Sequence, residues 1–286
     1  MTVAIHGIQT GLTQIKTAQR VRKPGGLVRI LTDTNWTGWL PIYAWVIEHP
    51  EGLIVVDTGE TSRTALAGYF PAWHPYYRGS VQMRVKPEDE IGPQLAQMGI
   101  RAKDVKTVVL THLHTDHAGG LSHFASSEIL TSEAEYRMAT GVMGKLRGYL
   151  PHRWPEWFAP TPIAFGLTAF GPFDRTYSVT RTGDVLVVPT PGHTAAHVSV
   201  VVESEDILYF LAGDTSYSQK LLKTRTADGV SPSAAVTLNT IDNIVDLART
   251  RPLVYMPSHD PDSLARMQHR STLIGEAALE PVAGRS

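Results

Sequence analysis

Between Thr111 and Gly120 the chain reads THLHTDHAGG, which places His112, His114, Asp116 and His117 within six positions, directly after the apolar run Val105–Leu110. Only 12 histidines occur in all 286 residues, so the concentration is selective. Imidazole nitrogen and carboxylate oxygen suit Zn²⁺ and other first-row divalent ions. If the run is a strand feeding a loop, His112, His114 and Asp116 alternate and one subset of them shares a side. Gly119-Gly120 would then let the backbone turn sharply and pass close to whatever the ligands hold. Any one of these residues alone reads equally well as a polar loop residue; the cluster reads as a metal site. Four ligands exceed what one open catalytic zinc typically takes from a protein. The surplus predicts two ions, with further ligands downstream.

Three such ligands follow. Val185–Val188 runs into Pro189-Thr190-Pro191-Gly192-His193, Ile207–Leu211 into Gly213-Asp214, and Leu253–Met256 into Pro257-Ser258-His259-Asp260. Each run ends in a metal-compatible side chain, and the carboxyl ends of strands are where open α/β sheets build sites. Singly, Asp214 reads as a turn residue and His193 or His259 as surface. Together they repeat one pattern.

The positioning elements are short runs rich in Val and Ile and bounded by Gly, Pro or Asp. Besides the four above, Ile42–Ile47, Leu53–Val56 and Val198–Val202 read as buried strands. Helical patterns alternate with some of them. KPEDEIGPQLAQMG carries acidic residues in its expected first turn and a glycine at its end, with Gly92-Pro93 able to delay the start. In SPSAAVTLNTIDNIVDLART, Ser231 is the expected N-cap and Pro232 the first helical residue, and Val236, Ile241, Ile244, Val245 and Ala248 form the apolar stripe. Residues 141–173 are dense in Pro, Gly and aromatics and have no clean period, so they read as an ordered insertion. LIVVDTG (53–59) and LYFLAGDT (208–215) are both strands ending in Asp. The expectation is a layered α/β architecture in one domain over 1–286, built from two similar halves.

Composition narrows the chemistry. Hydrophobic content of 42% and charged content of 19% are those of an ordinary folded protein. The absence of cysteine excludes disulfides, thiolate metal sites and cysteine nucleophiles. A formal net charge of −1 and the lack of a long basic tract disfavour nucleic acid as a partner. No apolar run approaches the ~20 residues of a membrane span, and the first residues carry no leader pattern, so no membrane partner and a cytoplasmic location are expected.

The order His-x-His-x-Asp-His, then His after Thr-Pro-Gly, then Gly-Asp, then a late His resembles the metallo-β-lactamase superfamily from about Leu53 to Asp260. That resemblance implies an αββα sandwich with a dinuclear metal site at one edge of the sheets. It implies that His112, His114 and His193 hold one ion, that Asp116, His117 and His259 hold the second, and that Asp214 bridges them. Asp57, after LIVV, matches a buried aspartate that supports the ligands. The expected ions are zinc, with iron, cobalt or manganese as alternatives. A hydroxide shared by two ions roughly 3.5–4 Å apart would attack a carbonyl, giving hydrolysis of an ester, lactone, thioester, amide or phosphoester.

Within that superfamily, Asp214-Thr215-Ser216-Tyr217 and Ser258-His259-Asp260 resemble the N-acyl-homoserine lactonases. The resemblance implies a small-molecule lactone substrate and a catalytic trio of Tyr217, Asp116 and Asp214. Tyr217 would stabilise the carbonyl oxygen, and an aspartate would shuttle the proton. By the same analogy a homodimer is expected. Two features depart from the pattern: Thr115 stands where an aromatic residue is common, and the 141–173 insertion is individual. An esterase or organophosphate hydrolase, a pyridoxolactone-opening enzyme, and a non-catalytic binding module remain alternatives. An acyl chain would need an apolar trough, for which Trp36, Trp39, Phe70, Met138 and Trp157 are the leading candidates, with Trp73, Met83, Met143, Trp154 and Phe158 behind them.

Overall fold

A computed structural model describes residues 3–274. Its strands are β1 (Ala4–Ile15), β2 (Leu40–His49), β3 (Gly52–Val56), β4 (Val81–Arg84), β5 (Val105–Val109), β6 (Glu128–Thr131), β7 (Thr161–Pro162), β8 (Tyr177–Ser178), β9 (Val185–Pro189), β10 (Val198–Ser204), β11 (Ile207–Gly213) and β12 (Leu253–Pro257). Its helices are α1 (Thr17–Arg20), α2 (Gly26–Thr32), α3 (Pro75–Gly79), α4 (Ile91–Gln97), α5 (Thr115–Ala118), α6 (Glu133–Thr140), α7 (Val142–Leu146), α8 (Gln219–Lys223), α9 (Ala234–Thr250) and α10 (Ser263–Gln268). The strands form two sheets, in the orders β4-β1-β2-β3-β5-β6-β7 and β12-β11-β10-β9-β8.

Alternation along the strands explains the layering. Tyr43, Trp45 and Ile47 of β2 face Val185, Val187, Val200 and Met256 of the second sheet in one buried cluster. Their neighbours Ala44 and Val46 face outward onto Ile91 and Leu95 of α4, with Leu121 and Phe124 alongside. On the far side, Val201, Phe210 and Tyr255 pack against Ile241, Ile244, Leu247 and Ala248 of α9. Helices therefore cover both outer faces of two packed sheets, which is the expected αββα sandwich. Among the described residues, no helix is long and apolar enough to cross a membrane.

All seven expected strands are present, and several local expectations change. The longest strand, β1, escapes the pattern because its register shifts between Gln9 and Leu12. Gly11 sits at that bulge with φ +143, where a Cβ would lie 2.9 Å from the Arg84 carbonyl oxygen. In α4 the acidic residues fall in a 3₁₀ turn, Pro87–Asp89, ahead of the helix proper. The N-cap of α9 is Ser233, whose hydroxyl accepts from the Val236 amide. Ser231, the expected cap, instead donates to the Gly192 carbonyl at 2.6 Å. Val236 of the expected stripe is 42% exposed, and Thr237, Thr240 and Leu247 are buried in its place.

Candidate metal centre

β5 ends at Val109, and the next two residues bond to both sheets, the Leu110 amide donating to the Leu130 carbonyl of β6 and the Thr111 carbonyl accepting from the Val198 amide of β10. The chain stays extended only as far as His114, which caps α5, so Asp116 and His117 lie on a helical turn rather than on the expected alternation. The turn brings the His117 ring against His112, with centroids 4.0 Å apart, and sets Asp116 beside His259. Gly119 and Gly120 have ordinary φ values of −66° and −86°. They serve close packing against the neighbouring loop: a Cβ on Gly119 would lie 2.3 Å from Glu60 Oε1, and one on Gly120 2.3 Å from the Thr58 carbonyl oxygen. The expected sharp turn around the ligands is not there.

The ends of β9, β11 and β12 bring His193, Asp214 and His259 to the same place. His112 Nε2, His114 Nδ1 and His193 Nε2 converge, with separations of 3.0 Å and 3.1 Å along that chain of atoms. Asp116 Oδ2 lies 3.4 Å from His259 Nε2. Between the two groups, Asp214 turns Oδ2 to His193 Nε2 at 3.4 Å and Oδ1 to His117 and His259 Nε2, each at 3.4 Å. Three overlapping ligand triads result: His112–His114–His193, His112–His117–Asp214 and Asp116–His117–His259.

The backs of the imidazoles decide what their fronts can do. His117 Nδ1 donates to Asp57 Oδ2 at 2.8 Å, His193 Nδ1 to Asp228 Oδ2 at 2.9 Å and His259 Nδ1 to the Pro41 carbonyl at 2.7 Å. A proton committed to the rear nitrogen leaves a lone pair on the forward one, the tautomer a metal ligand needs. Asp57 also accepts from the Thr111 amide at 2.8 Å and hydroxyl at 2.9 Å, and it does so from a left-handed backbone (φ 59°). That strained conformation is held by the contacts around it.

Two observations test whether ions fit. His117 Nε2 and Asp214 Oδ1 are buried, face each other, and have no hydrogen-bond partner. Buried polar atoms are rarely left so, and a cation between the triads would satisfy both. Electrostatics agree. Burial, joined by the neighbouring imidazoles, holds His112 and His114 well below the ordinary histidine value, so both are neutral. Burial would do the same to His117, but Asp214, Asp57 and Asp116 outweigh it and raise it well above that value. The cluster presents neutral donors on one side and a field that attracts positive charge on the other.

Above it lies a cavity of about 340 Å³. His114, Asp116, His193, Asp214, Tyr217 and His259 line it, so the expected catalytic trio shares one chamber with three further expected ligands. Tyr217 is buried, stacks on the His259 ring at 5.5 Å, and accepts a hydrogen bond from Gln19 Nε2 at 3.0 Å. Burial and the nearby Asp214 push its phenol well above the ordinary tyrosine value, so it keeps its proton.

The expected trough fares differently. Of its five leading candidates only Met138 lines the cavity; Met83, from the second rank, does too. Trp36 lies under the Lys16 ammonium at 3.7 Å, and Trp39 under the Arg84 guanidinium at 4.0 Å. Both indoles are spent on covering cations, a buried lysine and an exposed arginine, rather than on lining the cavity. Phe70 stacks behind the cavity-lining Tyr77 at 4.5 Å, and Trp157 is 41% exposed. The apolar wall comes instead from Ile15, Leu27, Ile30, Leu31, Leu146 and Tyr149.

Sequence reasoning missed three supports. Asp228 sits in an irregular loop with no pattern to mark it. His197 accepts from the Asp214 amide at 3.1 Å and was masked by its more conspicuous neighbour His193. Glu135, wholly buried, accepts from the Leu113 amide (3.2 Å), the Thr194 hydroxyl (2.7 Å) and the Tyr149 hydroxyl (2.7 Å). It ties both histidine loops to the 141–173 insertion, although EAEY in a helix reads as a solvated face.

Comparison with known proteins places this geometry. The profile of the metallo-beta-lactamase superfamily matches residues 37–259. The N-acyl homoserine lactonase of Bacillus cereus is 29% identical over 188 residues, covering 63% of this chain and 66% of that relative. The N-acyl homoserine lactonase AttM of Rhizobium radiobacter is 26% identical over 242 residues, covering 80% and 85%. Among solved structures, an N-acyl homoserine lactone hydrolase with the product N-hexanoyl-L-homoserine at its catalytic metal centre superposes with a TM-score of 0.74 at 22% identity, over 92% of this chain and 95% of that one. The chain thus belongs to the metallo-beta-lactamase superfamily of metal-dependent hydrolases.

Proposed function

We propose that this protein is a lactone hydrolase with a two-ion centre, acting on N-acyl homoserine lactones. His112, His114 and His193 would hold one divalent ion, and Asp116, His117 and His259 the other, with Asp214 reaching both. Zinc fits nitrogen and carboxylate ligands best, and iron, cobalt or manganese would accept the same set. Bound there, the ions would supply a hydroxide at neutral pH and polarise the ring carbonyl. The protein's own groups account for the remaining steps. Tyr217, protonated in its buried setting, donates to the carbonyl oxygen as negative charge develops there. Asp116 keeps 15% of its side chain open to the chamber, against 4% for Asp214, and is therefore the better placed to pass a proton to the leaving alkoxide. The apolar wall takes the acyl chain.

The observation that carries this reading is the phenol of Tyr217 in the same chamber as the ligand cluster, three positions after Asp214, together with the lactonase names of the relatives. A near-neutral charge supports a small-molecule substrate rather than nucleic acid. A cytoplasmic location and a homodimer belong to the same reading, and light scattering tests the latter. The deciding assay is proton release on ring opening by metal-loaded protein. Its substrates are short- and long-chain acyl-homoserine lactones, a plain γ-lactone, a chromogenic ester and a phosphotriester. Preference for the acyl-homoserine lactones is expected. Rapid cleavage of the ester or phosphotriester with little lactone opening would replace the substrate class while keeping the metal centre.

A further inference from the structure

We infer that Gln19 is a positioning residue for Tyr217, its side-chain amide fixing which way the phenol proton points. This rests on the role proposed for Tyr217. Gln19 lies on α1 at the cavity, only 6% exposed, and its Nε2 donates to Tyr217 Oη at 3.0 Å. A phenol oxygen can accept and donate at once, but its hydrogen cannot point along a direction already taken by an incoming N–H. With Gln19 donating, the Tyr217 proton is left for another acceptor. A carbonyl oxygen entering the shared cavity is one. Accepting a bond also polarises the phenol and strengthens its own donation.

The rest of the Gln19 amide shows what it is for. Its Oε1 is buried and has no partner. Its Nε2 is spent on Tyr217, with the Tyr76 phenol as its other polar neighbour at the cavity, so the side chain serves the phenols there rather than knitting the fold. The segment that carries it is tied down on both sides. Asp33 Oδ2 accepts from the Thr17 hydroxyl at 2.8 Å and the Ala18 amide at 2.7 Å. The Gly229 amide donates to the Gln19 carbonyl at 2.7 Å. Gly229 approaches so closely that a Cβ there would lie 2.0 Å from the Ala18 carbonyl oxygen. The loop so bound also carries Asp228, the acceptor behind His193. One backbone-to-backbone junction thus orients a ligand histidine and the phenol together. Nothing in the sequence marks Gln19, which falls 198 positions from Tyr217.

A double-mutant cycle tests it, using Gln19→Leu, Gln19→Met, Tyr217→Phe and the doubles, on whichever substrate of the panel the wild type turns over fastest. Gln19→Leu is expected to lower kcat about tenfold, with KM within about twofold. Added to Tyr217→Phe it should cost nothing more, because the proton it directs is gone. Metal content and melting temperature should match the wild type, and Gln19→Met controls for the shape of the leucine. In protein labelled with ¹³C at tyrosine Cζ, the resonance missing from Tyr217→Phe should shift in Gln19→Leu. Impaired Tyr217→Phe with an additive Gln19→Leu loss, or an unmoved Cζ resonance, would overturn the role of Gln19 alone. A silent Tyr217→Phe would overturn the role of the phenol and this inference with it. A wild type that cleaves the ester but no lactone overturns only the substrate class, and the cycle then runs on the ester.

Discussion

The floor and the wall of the cavity are built on opposite terms. Floor residues sit at the ends of buried strands or, for Asp116 and His117, on the short turn α5 that follows one, and their side chains are gripped from behind: His117 by Asp57, His193 by Asp228, His259 by a carbonyl. The wall rests on short helices such as α2 and α7, and its leucines are half in water; Leu27 is 52% exposed, Leu31 42% and Leu146 56%. Chemistry that depends on a few tenths of an ångström belongs on rigid strand ends, while the surface that fits a substrate's tail tolerates looser support. Changes to the floor should therefore cost orders of magnitude in rate or metal, and changes to the wall should re-rank substrates.

The largest effect is expected from Asp214→Asn, which removes the carboxylate charge that faces His193 on one side and His117 and His259 on the other. Turnover should fall by about 10³-fold or more, with loss of metal on dialysis. Near-wild-type turnover would break the distinction at its strongest point. Asp57→Asn leaves every ligand in place but weakens the hold on His117. Metal affinity should drop roughly 10- to 100-fold in competition with a chelator. An unchanged affinity would mean that the rear bonds do not tune the front.

Glu135 joins floor to wall. Glu135→Leu leaves the Leu113 amide and two buried hydroxyls without their acceptor and should destabilise the fold by about 2–4 kcal/mol in denaturant titration. Wall substitutions come next. Leu146→Ala and Met138→Ala should lower kcat/KM for long acyl chains by about three- to tenfold and leave short chains alone, whereas Trp36→Ala and Trp157→Ala should alter neither. A chain-length effect from Trp36 would move the trough back to where the aromatic residues suggested it.

The smallest effect lies away from both regions. Burial pushes the Asp184 carboxyl up, but bonds from Thr180, Thr182 and His49 outweigh this and bring it down to about 2. A depressed acid stabilises the fold above its unfolded pKa near 3.8 and loses that contribution as pH falls toward 2. Asp184→Asn should thus melt lower than the wild type at pH 5 but not at pH 2, with kcat unaffected.

The floor was legible in the sequence and the wall was not, for the same physical reason. Strand ends announce themselves: a run such as Leu253–Met256 is buried throughout, and a histidine or aspartate just past it has little reason to be there except as a ligand. Tyr217 was readable through its distance from Asp214. The wall depends on where Gly26–Thr32 and Val142–Leu146 fold back over the sheet edge, and helices of seven and five residues leave no periodic trace. Indoles drew attention to Trp36 and Trp39, yet a large aromatic residue covers a neighbouring cation as readily as it lines a pocket. Asp228, Glu135 and Gln19 were invisible because each acts on a residue far along the chain. Even β1 was hidden, since the bulge before Leu12 breaks its alternation.

The most direct test of the account is metal stoichiometry by elemental analysis, for the wild type and for His193→Ala and His259→Ala, after saturation with zinc and removal of the excess. Two ions per wild-type chain and one per chain of each variant, with the two variants differing in the spectrum of a bound cobalt probe, is the expected result. One ion per wild-type chain, or loss of the same ion from both variants, would contradict the two-ion centre bridged by Asp214.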